Sequence, residues 1–166
     1  MGERRKRALR LCFDGGLKLE FHGSRVTSDA GLLAYRELDD ALGLTEMAEG
    51  VLAEWRTGQN MQHTRKALFR QSIFSRLAGY EDTNDAERLC VDPAMRYVVG
   101  GRAKGKRAAS TSQMSRFETE VLARPESTEG LADLSGKWID RVIRRKRTHE
   151  IILDMDSSVS ETYGAQ

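Results

Sequence analysis

Ile151-Ile152-Leu153-Asp154-Met155-Asp156-Ser157-Ser158 is the stretch on which the reading of the whole chain turns. A short apolar, β-branched run leads into two carboxylates and two hydroxyls, the pattern of a buried strand that ends in acidic side chains. Side chains alternate between faces along a strand, so Asp154 and Asp156 point the same way with Cα atoms about 6.6–6.8 Å apart. Hard divalent cations such as Mg²⁺ take oxygen ligands, commonly one or two carboxylates together with substrate phosphates. A carboxylate in this place equally serves to cap the following turn, and spacing alone leaves both readings open.

Upstream of that stretch the periodicity is helical. Leu131, Leu134, Trp138 and Val142 form one stripe of a helix running into an arginine-rich segment that ends at Arg147, and Met114, Phe117, Val121 and Leu122 mark another that Pro125 is expected to end. Gly100 to Ala109 reads as a flexible basic loop. Asp92-Pro93 combines a cap with the one helical position that suits proline, so a helix is expected over 94–99 with Gly100-Gly101 as its stop. A longer helix is expected from about Thr64 to Leu77, burying Leu68, Phe69, Ile73, Phe74 and Leu77. Ser28 reads as the N-cap of a helix whose inner stripe is Ala30, Leu33, Ala34, Leu38, Ala41 and Leu42, closed by Gly43. At the start, apolar and polar residues alternate on both sides of Asp14-Gly15-Gly16, the signal of a β-hairpin over Leu9 to Phe21 turning at that triplet. One strand would present Leu9, Leu11 and Phe13, the other Leu17, Leu19 and Phe21.

The chain has 166 residues, 39% hydrophobic and 31% charged. That is one domain or two small ones, with material for a core, and it excludes a large multidomain enzyme. No apolar run approaches the roughly 20 residues that cross a bilayer. The basic opening, Met1 to Arg10, lacks the apolar segment of a secretory leader. Cys12 and Cys90 stand far apart without ligand spacing, which fits a reducing cytosol, and His22, His63 and His149 show no ligand spacing either.

Net charge is only +2, but the charges are segregated. Arg4, Arg5, Lys6, Arg7 and Arg10 form one basic cluster; Arg102, Lys104, Lys106 and Arg107 a second; Arg141, Arg144, Arg145, Lys146 and Arg147 a third. Such clusters suit phosphate contacts, because each neutralised phosphate releases condensed counterions. Arginine-rich helix ends also occur simply as solvated faces that complement the helix dipole. Gln113 and Arg116 are candidate base readers or ordinary surface residues. A helix-turn-helix could be built from the helices flanking Gly79 or from Ser112 to Leu122, and the sequence does not select between them. Trp55, Trp138 and Phe117 fit core positions better than base-stacking platforms.

Two families use a comparable acidic phrase. The haloacid dehalogenase-like phosphatases place Asp-x-Asp after an apolar strand, but near the start of their sheet and commonly with Gly after the second Asp, where this chain has Ser157. The second resemblance covers most of the chain. Ser28-Asp29-Ala30-Gly31-Leu32-Leu33 through Leu38-Asp39, Ala78-Gly79-Tyr80-Glu81-Asp82-Thr83-Asn84-Asp85 through Leu89, Asp92-Pro93, Ser115-Arg116-Phe117-Glu118, and Ile152 to Ser160 with Gly164 and Gln166 resemble, in order, the N-terminal region of bacterial insertion-sequence transposases of the DDE domain group 1 type. The resemblance implies a mainly α region with a small N-terminal β-hairpin over residues 1–147. It implies that 148–166 begins an incomplete ribonuclease H-like α/β domain, with its first strand at the acidic phrase. In that family an Asp, Asp, Glu triad holds Mg²⁺, and the pattern of Asp, a small residue and Ser or Thr falls on Asp156-Ser157-Ser158. Asp156 is therefore the expected first catalytic acid and metal ligand, with Asp154 as the alternative. Glu161, where relatives often have Pro, and Ala165, where they often have an acidic residue, depart from the pattern without touching Asp156.

The expected function is the N-terminal part of a transposase that binds element-end DNA through Arg4, Arg5, Lys6, Arg7, Lys104, Lys106, Arg107, Arg141, Arg144, Arg145, Lys146 and Arg147, with no membrane partner. The second Asp and the Glu would lie beyond Gln166, so the isolated polypeptide is expected to bind DNA without nicking or joining it. The alternative is a stand-alone DNA-binding remnant that interferes with full-length transposase. A homodimer, or pairing with the full-length enzyme, and a cytoplasmic, nucleoid-associated location follow from the resemblance alone.

Overall fold

The computed structural model describes residues 9–19, 29–54 and 61–146, with the single residues 150, 152 and 154. Within them the molecule is mainly helical, with one two-stranded antiparallel ribbon. The ribbon pairs β1 (Leu9–Leu11) with β2 (Asp14–Leu19), Leu9 facing Leu19 and Arg10 facing Lys18, and then the register slips so that Leu11 faces Asp14. The turn is therefore Cys12-Phe13, not the expected Asp14-Gly15-Gly16. The triplet forms an irregularity inside β2, where the Asp14 carboxylate accepts the Gly16 N–H at 3.0 Å. That shift moves Phe13 off the ribbon face and onto the helices, with the Arg36 guanidinium 4.6 Å from its ring centre. Phe21 and the expected cap Ser28 lie outside the described residues.

The first helix, α1 (Leu32–Leu42), follows a turn in which the Leu32 N–H bonds the Asp29 carbonyl at 3.1 Å. Gly43 closes it in the left-handed conformation, φ 75°, and immediately opens α2 (Leu44–Val51), a helix that the sequence pattern did not reveal. The inner stripe of α1 differs from the expected one. Leu32, Arg36 and Asp39 are buried, while Ala34 and Ala41 are exposed and Leu38 is 49% exposed. Periodicity places charge outward by default; here Arg36 faces inward to reach the Val98 carbonyl while pairing with Asp40 of its own helix, and Asp39 faces inward to meet Arg70 on the helix after α2.

That helix, α3 (Arg65–Leu77), starts at Thr64, whose hydroxyl accepts the Ala67 N–H at 3.1 Å. It divides two apolar clusters. Leu68 and Phe69 pack with Ala48, Leu52, Met114, Phe117, Val121 and Leu134, whereas Phe74 packs with Leu32, Leu89, Met95, Val98 and Val99. Ile73 is half-buried and Leu77, expected in the core, is 53% exposed.

After a 3₁₀ turn capped by Asp82, which accepts the Asn84 N–H at 2.8 Å, α4 (Ala86–Leu89) leads to Asp92. Asp92 accepts the Met95 N–H at 2.7 Å and opens α5 (Pro93–Val99), which stops at Gly100 as the sequence predicts. The segment read as a loop is instead α6 (Arg102–Gly105) followed by an extended stretch whose Ala108 and Ala109 are buried. A run rich in Gly and Lys carries no local helical signal; long-range backbone pairing orders it. From Thr111 to Phe117 runs α7, continued by a π-helical turn over Glu118–Leu122. Pro125 does not end that helix but opens the next, α8 (Pro125–Lys146), at the position where a missing N–H costs nothing.

In α8, Leu134 is buried and Leu131, Trp138 and Val142 are half-buried, as expected. The helix lies close on α2: a Cβ at Gly130 would sit 2.7 Å from the Val51 Cβ. Near its other end Arg141 presses on Gly43, where a Cβ would fall 2.7 Å from the guanidinium Nη1, and Arg145 donates to the Ala41 carbonyl at the open end of α1. Gly43→Ala therefore meets two obstacles, the left-handed backbone and the arginine. It is expected to destabilise the chain by about 1–2 kcal/mol from the backbone alone, read as a lower urea midpoint; an unchanged midpoint would refute the strain.

At the other end of the chain, Ile152 and Asp154 belong to no strand, Ile152 is 85% exposed and Asp154 is exposed. A β-branched run is buried only where neighbouring strands take up its N–H and C=O groups. Among the described residues the one sheet is the N-terminal ribbon, paired with itself. Ile151, Leu153 and Asp156 lie outside the described residues.

Candidate nucleic-acid interface

Arg102 and Lys106 are carried by α6 and the residue after it, and Arg107 and Ser110 by the extended stretch that follows. Gln113 lies in the first turn of α7. Gln62 and His63, which precede α3, close the opposite side. Together these side chains line a cavity of about 750 Å³. A second cavity of about 420 Å³ shares Gln62, His63 and Arg102 with it.

The wall between α6 and α7 is held from behind. Gln71 of α3, fully buried, donates from Nε2 to the Ala109 carbonyl at 2.7 Å and accepts the Ala109 N–H on Oε1 at 2.8 Å. Its amide thus acts as a short length of strand for a segment that has no sheet. The Ala108 N–H bonds the Cys90 carbonyl at 2.8 Å. Arg107 reaches the Glu87 carboxylate at 3.2 Å and the Cys90 sulfur at 3.3 Å, and these contacts, the Cys90 one foremost, raise its pKa further. Gln113 accepts the Ser110 N–H at 3.0 Å, which fixes the start of α7.

The charge balance favours an anion. Lys106 forms no ion pair among the described residues, and Arg102 donates only a 3.4 Å bond, to the Met61 carbonyl. Glu87 is the acid at the cavity and is already paired with Arg107. Lys104, from the same basic run, faces elsewhere. It pairs with Asp14 at 2.8 Å and lies 5.7 Å from the Phe13 ring centre and 5.5 Å from that of Tyr97. Its hydrogen bond, with that of Gly16 N–H, holds the Asp14 carboxyl below the usual range. The basic run therefore splits by helical position: Lys104 latches the ribbon, and Arg102, Lys106 and Arg107 turn to the cavity.

The third basic cluster is also divided. Arg141, Arg144 and Arg145 border an open depression of about 790 Å³ with Lys137 and Met47, yet Arg141 and Arg145 also dock α8 onto the α1–α2 corner. Arg4, Arg5, Lys6, Arg7 and Arg147 lie outside the described residues, and Lys146 is the last residue of α8. Arg116 is exposed on α7. Gln62 and His63 were missed as site residues, since nothing in their neighbourhood marks them; only the fold brings them opposite α6.

The residues of the ordered sequence motifs hold the helices together. Asp29 accepts the Tyr80 hydroxyl at 3.3 Å, Arg88 lies 4.8 Å from the Tyr80 ring centre, Asp82 and Asp92 are caps, Phe117 is in the core, and Glu118 pairs with Arg76 at 2.7 Å. No group of three or more His, Cys, Asp and Glu side chains among the described residues is placed to hold a metal, and Asp154 is exposed. The described residues thus do not fit a magnesium site; what they offer is anion binding. No described helix is long and apolar enough to cross a membrane.

No curated protein and no solved structure matches the chain. A family model does: transposase DDE domain group 1 matches residues 9–166, from the first strand of the ribbon through all eight described helices and the acidic phrase, and the chain belongs to that family.

Proposed function

We propose that this chain is the DNA-binding N-terminal part of a bacterial insertion-sequence transposase, and that it grips the phosphate backbone of element-end DNA at the cavity between α4, α6 and α7. The observation that carries the reading is the convergence of Arg102, Lys106 and Arg107 on one cavity with Glu87 as its acid. A phosphate backbone supplies the complementary charge, and its release of counterions makes binding sequence-independent and strongly dependent on salt. The depression beside Lys137 and Arg144 supplies a further phosphate contact, and Arg4, Arg5, Lys6 and Arg7 are proposed as additional phosphate contacts. Asp156 is the proposed first acid of the catalytic triad, with Asp154 at its side, and magnesium the proposed metal of the intact enzyme. A second copy, or a full-length transposase, is the proposed protein partner.

The test is the slope of log affinity against log salt for a duplex. Replacing Arg102 and Lys106 together by Gln removes two phosphate contacts and is expected to reduce that slope by roughly 0.9 for each. A double variant with the wild-type slope would show that DNA does not occupy the cavity.

A further inference from the structure

We propose that the cavity between α4, α6 and α7 receives a single unpaired nucleotide of the bound DNA, and not merely the outer ridge of a duplex. The proposal rests on the DNA-binding reading and deepens it. A surface that touches only phosphates needs no enclosure; this cavity is less open than the depression beside Arg144, and its volume of about 750 Å³ falls within the range of sites that take small organic ligands, about 300–1,000 Å³. Its lining is also mixed. Cations at Arg102, Lys106 and Arg107 suit a phosphate, which only accepts hydrogen bonds, but the amides of Gln62 and Gln113 each carry donors and an acceptor, as a base edge does. The Gln62 amide N–H groups make no hydrogen bond among the described residues; its oxygen accepts from Gln113 at only 3.4 Å.

Shape decides between paired and unpaired DNA. Base edges of a duplex lie inside its grooves and are read by elements that protrude into them; a recess reaches only what protrudes from the DNA. A nucleotide already outside the stack meets that requirement at least cost. One wall is set in advance, since Gln71 and the Cys90 carbonyl hold the backbone at Ala108 and Ala109, so binding need not order that segment.

The experiment compares a fully paired DNA duplex with the same duplex carrying one bulged nucleotide, by fluorescence anisotropy with the whole chain. The bulge is expected to tighten binding about tenfold, the worth of one good base-edge contact. Gln62→Ala is expected to bring that ratio close to unity, whereas Arg102→Gln weakens both duplexes and preserves the ratio. Equal affinity of the wild-type chain for both duplexes would overturn the proposal. So would a bulge preference that survives Gln62→Ala, or equally tight binding of the corresponding bulged RNA. Failure to bind either duplex would instead overturn the DNA-binding reading beneath it.

Discussion

Asp39→Ala is expected to destabilise the chain by about 3–5 kcal/mol, the usual consequence of removing one partner from a buried ion pair. The Asp39 carboxylate is the hub of the α1, α2 and α3 junction. It accepts the Thr45 N–H at 2.8 Å, the Thr45 hydroxyl at 2.5 Å and the Arg70 Nε at 3.2 Å. Arg70 also donates to Asp40 at 2.9 Å, and Asp40 in turn accepts from Arg36 at 3.1 Å, whose other end bonds the Val98 carbonyl of α5. Burial lowers the Arg36 pKa from its ordinary value, and the hydrogen bond to Asp40 works against that shift. Arg36, Arg70 and Asp39 are all buried, so the loss of Asp39 leaves a guanidinium charge with half of its compensation in a site largely shielded from water. Urea unfolding measures the effect. The companion double variant Asp39→Leu with Arg70→Met removes both charges and is expected to recover much of the loss; a single-variant effect below about 1 kcal/mol would mean that the pair behaves as a solvated one.

Gln71→Leu is the second large effect, and it joins stability to function. Leucine fills a similar volume but leaves the Ala109 N–H and C=O buried without partners, at about 1–3 kcal/mol for each group. The cost is local before it is global. Ala109 is expected to exchange its amide hydrogen far faster, and because the freed stretch carries Lys106, Arg107 and Ser110, DNA affinity should fall as well. Equal hydrogen-exchange protection of Ala109 in the variant would show that the rest of the core, not Gln71, holds this wall.

These two variants mark where local reading stops. Helix ends written in single residues were legible: Thr64, Asp92 with Pro93, Gly43 and Gly100 stand where capping chemistry predicts, because a cap is satisfied by N–H groups two or three residues away. The stripe of α1 was not legible, because burying Asp39 depends on Arg70 and burying Arg36 on the Val98 carbonyl, each more than thirty residues further on. The glycine-rich basic run reads as a loop for the same reason, since its order comes from Gln71 and Cys90. The turn of the ribbon falls two residues earlier than expected, and Phe13 at that turn lies under Arg36 and Lys104, contacts remote in sequence that local turn chemistry does not register.

By itself the sequence determined the helical character, the end of α1, the bounds of α3 and α5, the N-terminal ribbon and, through its ordered motifs, the family; all of these rest on contacts within a few residues or on order along the chain. Only the tertiary structure decided which charges are buried, which lysine latches the ribbon, and which cations share a cavity with Gln62 and His63. Those outcomes depend on partners that are remote in sequence, and the free energy of a charge is set by what surrounds it, not by its neighbours along the backbone.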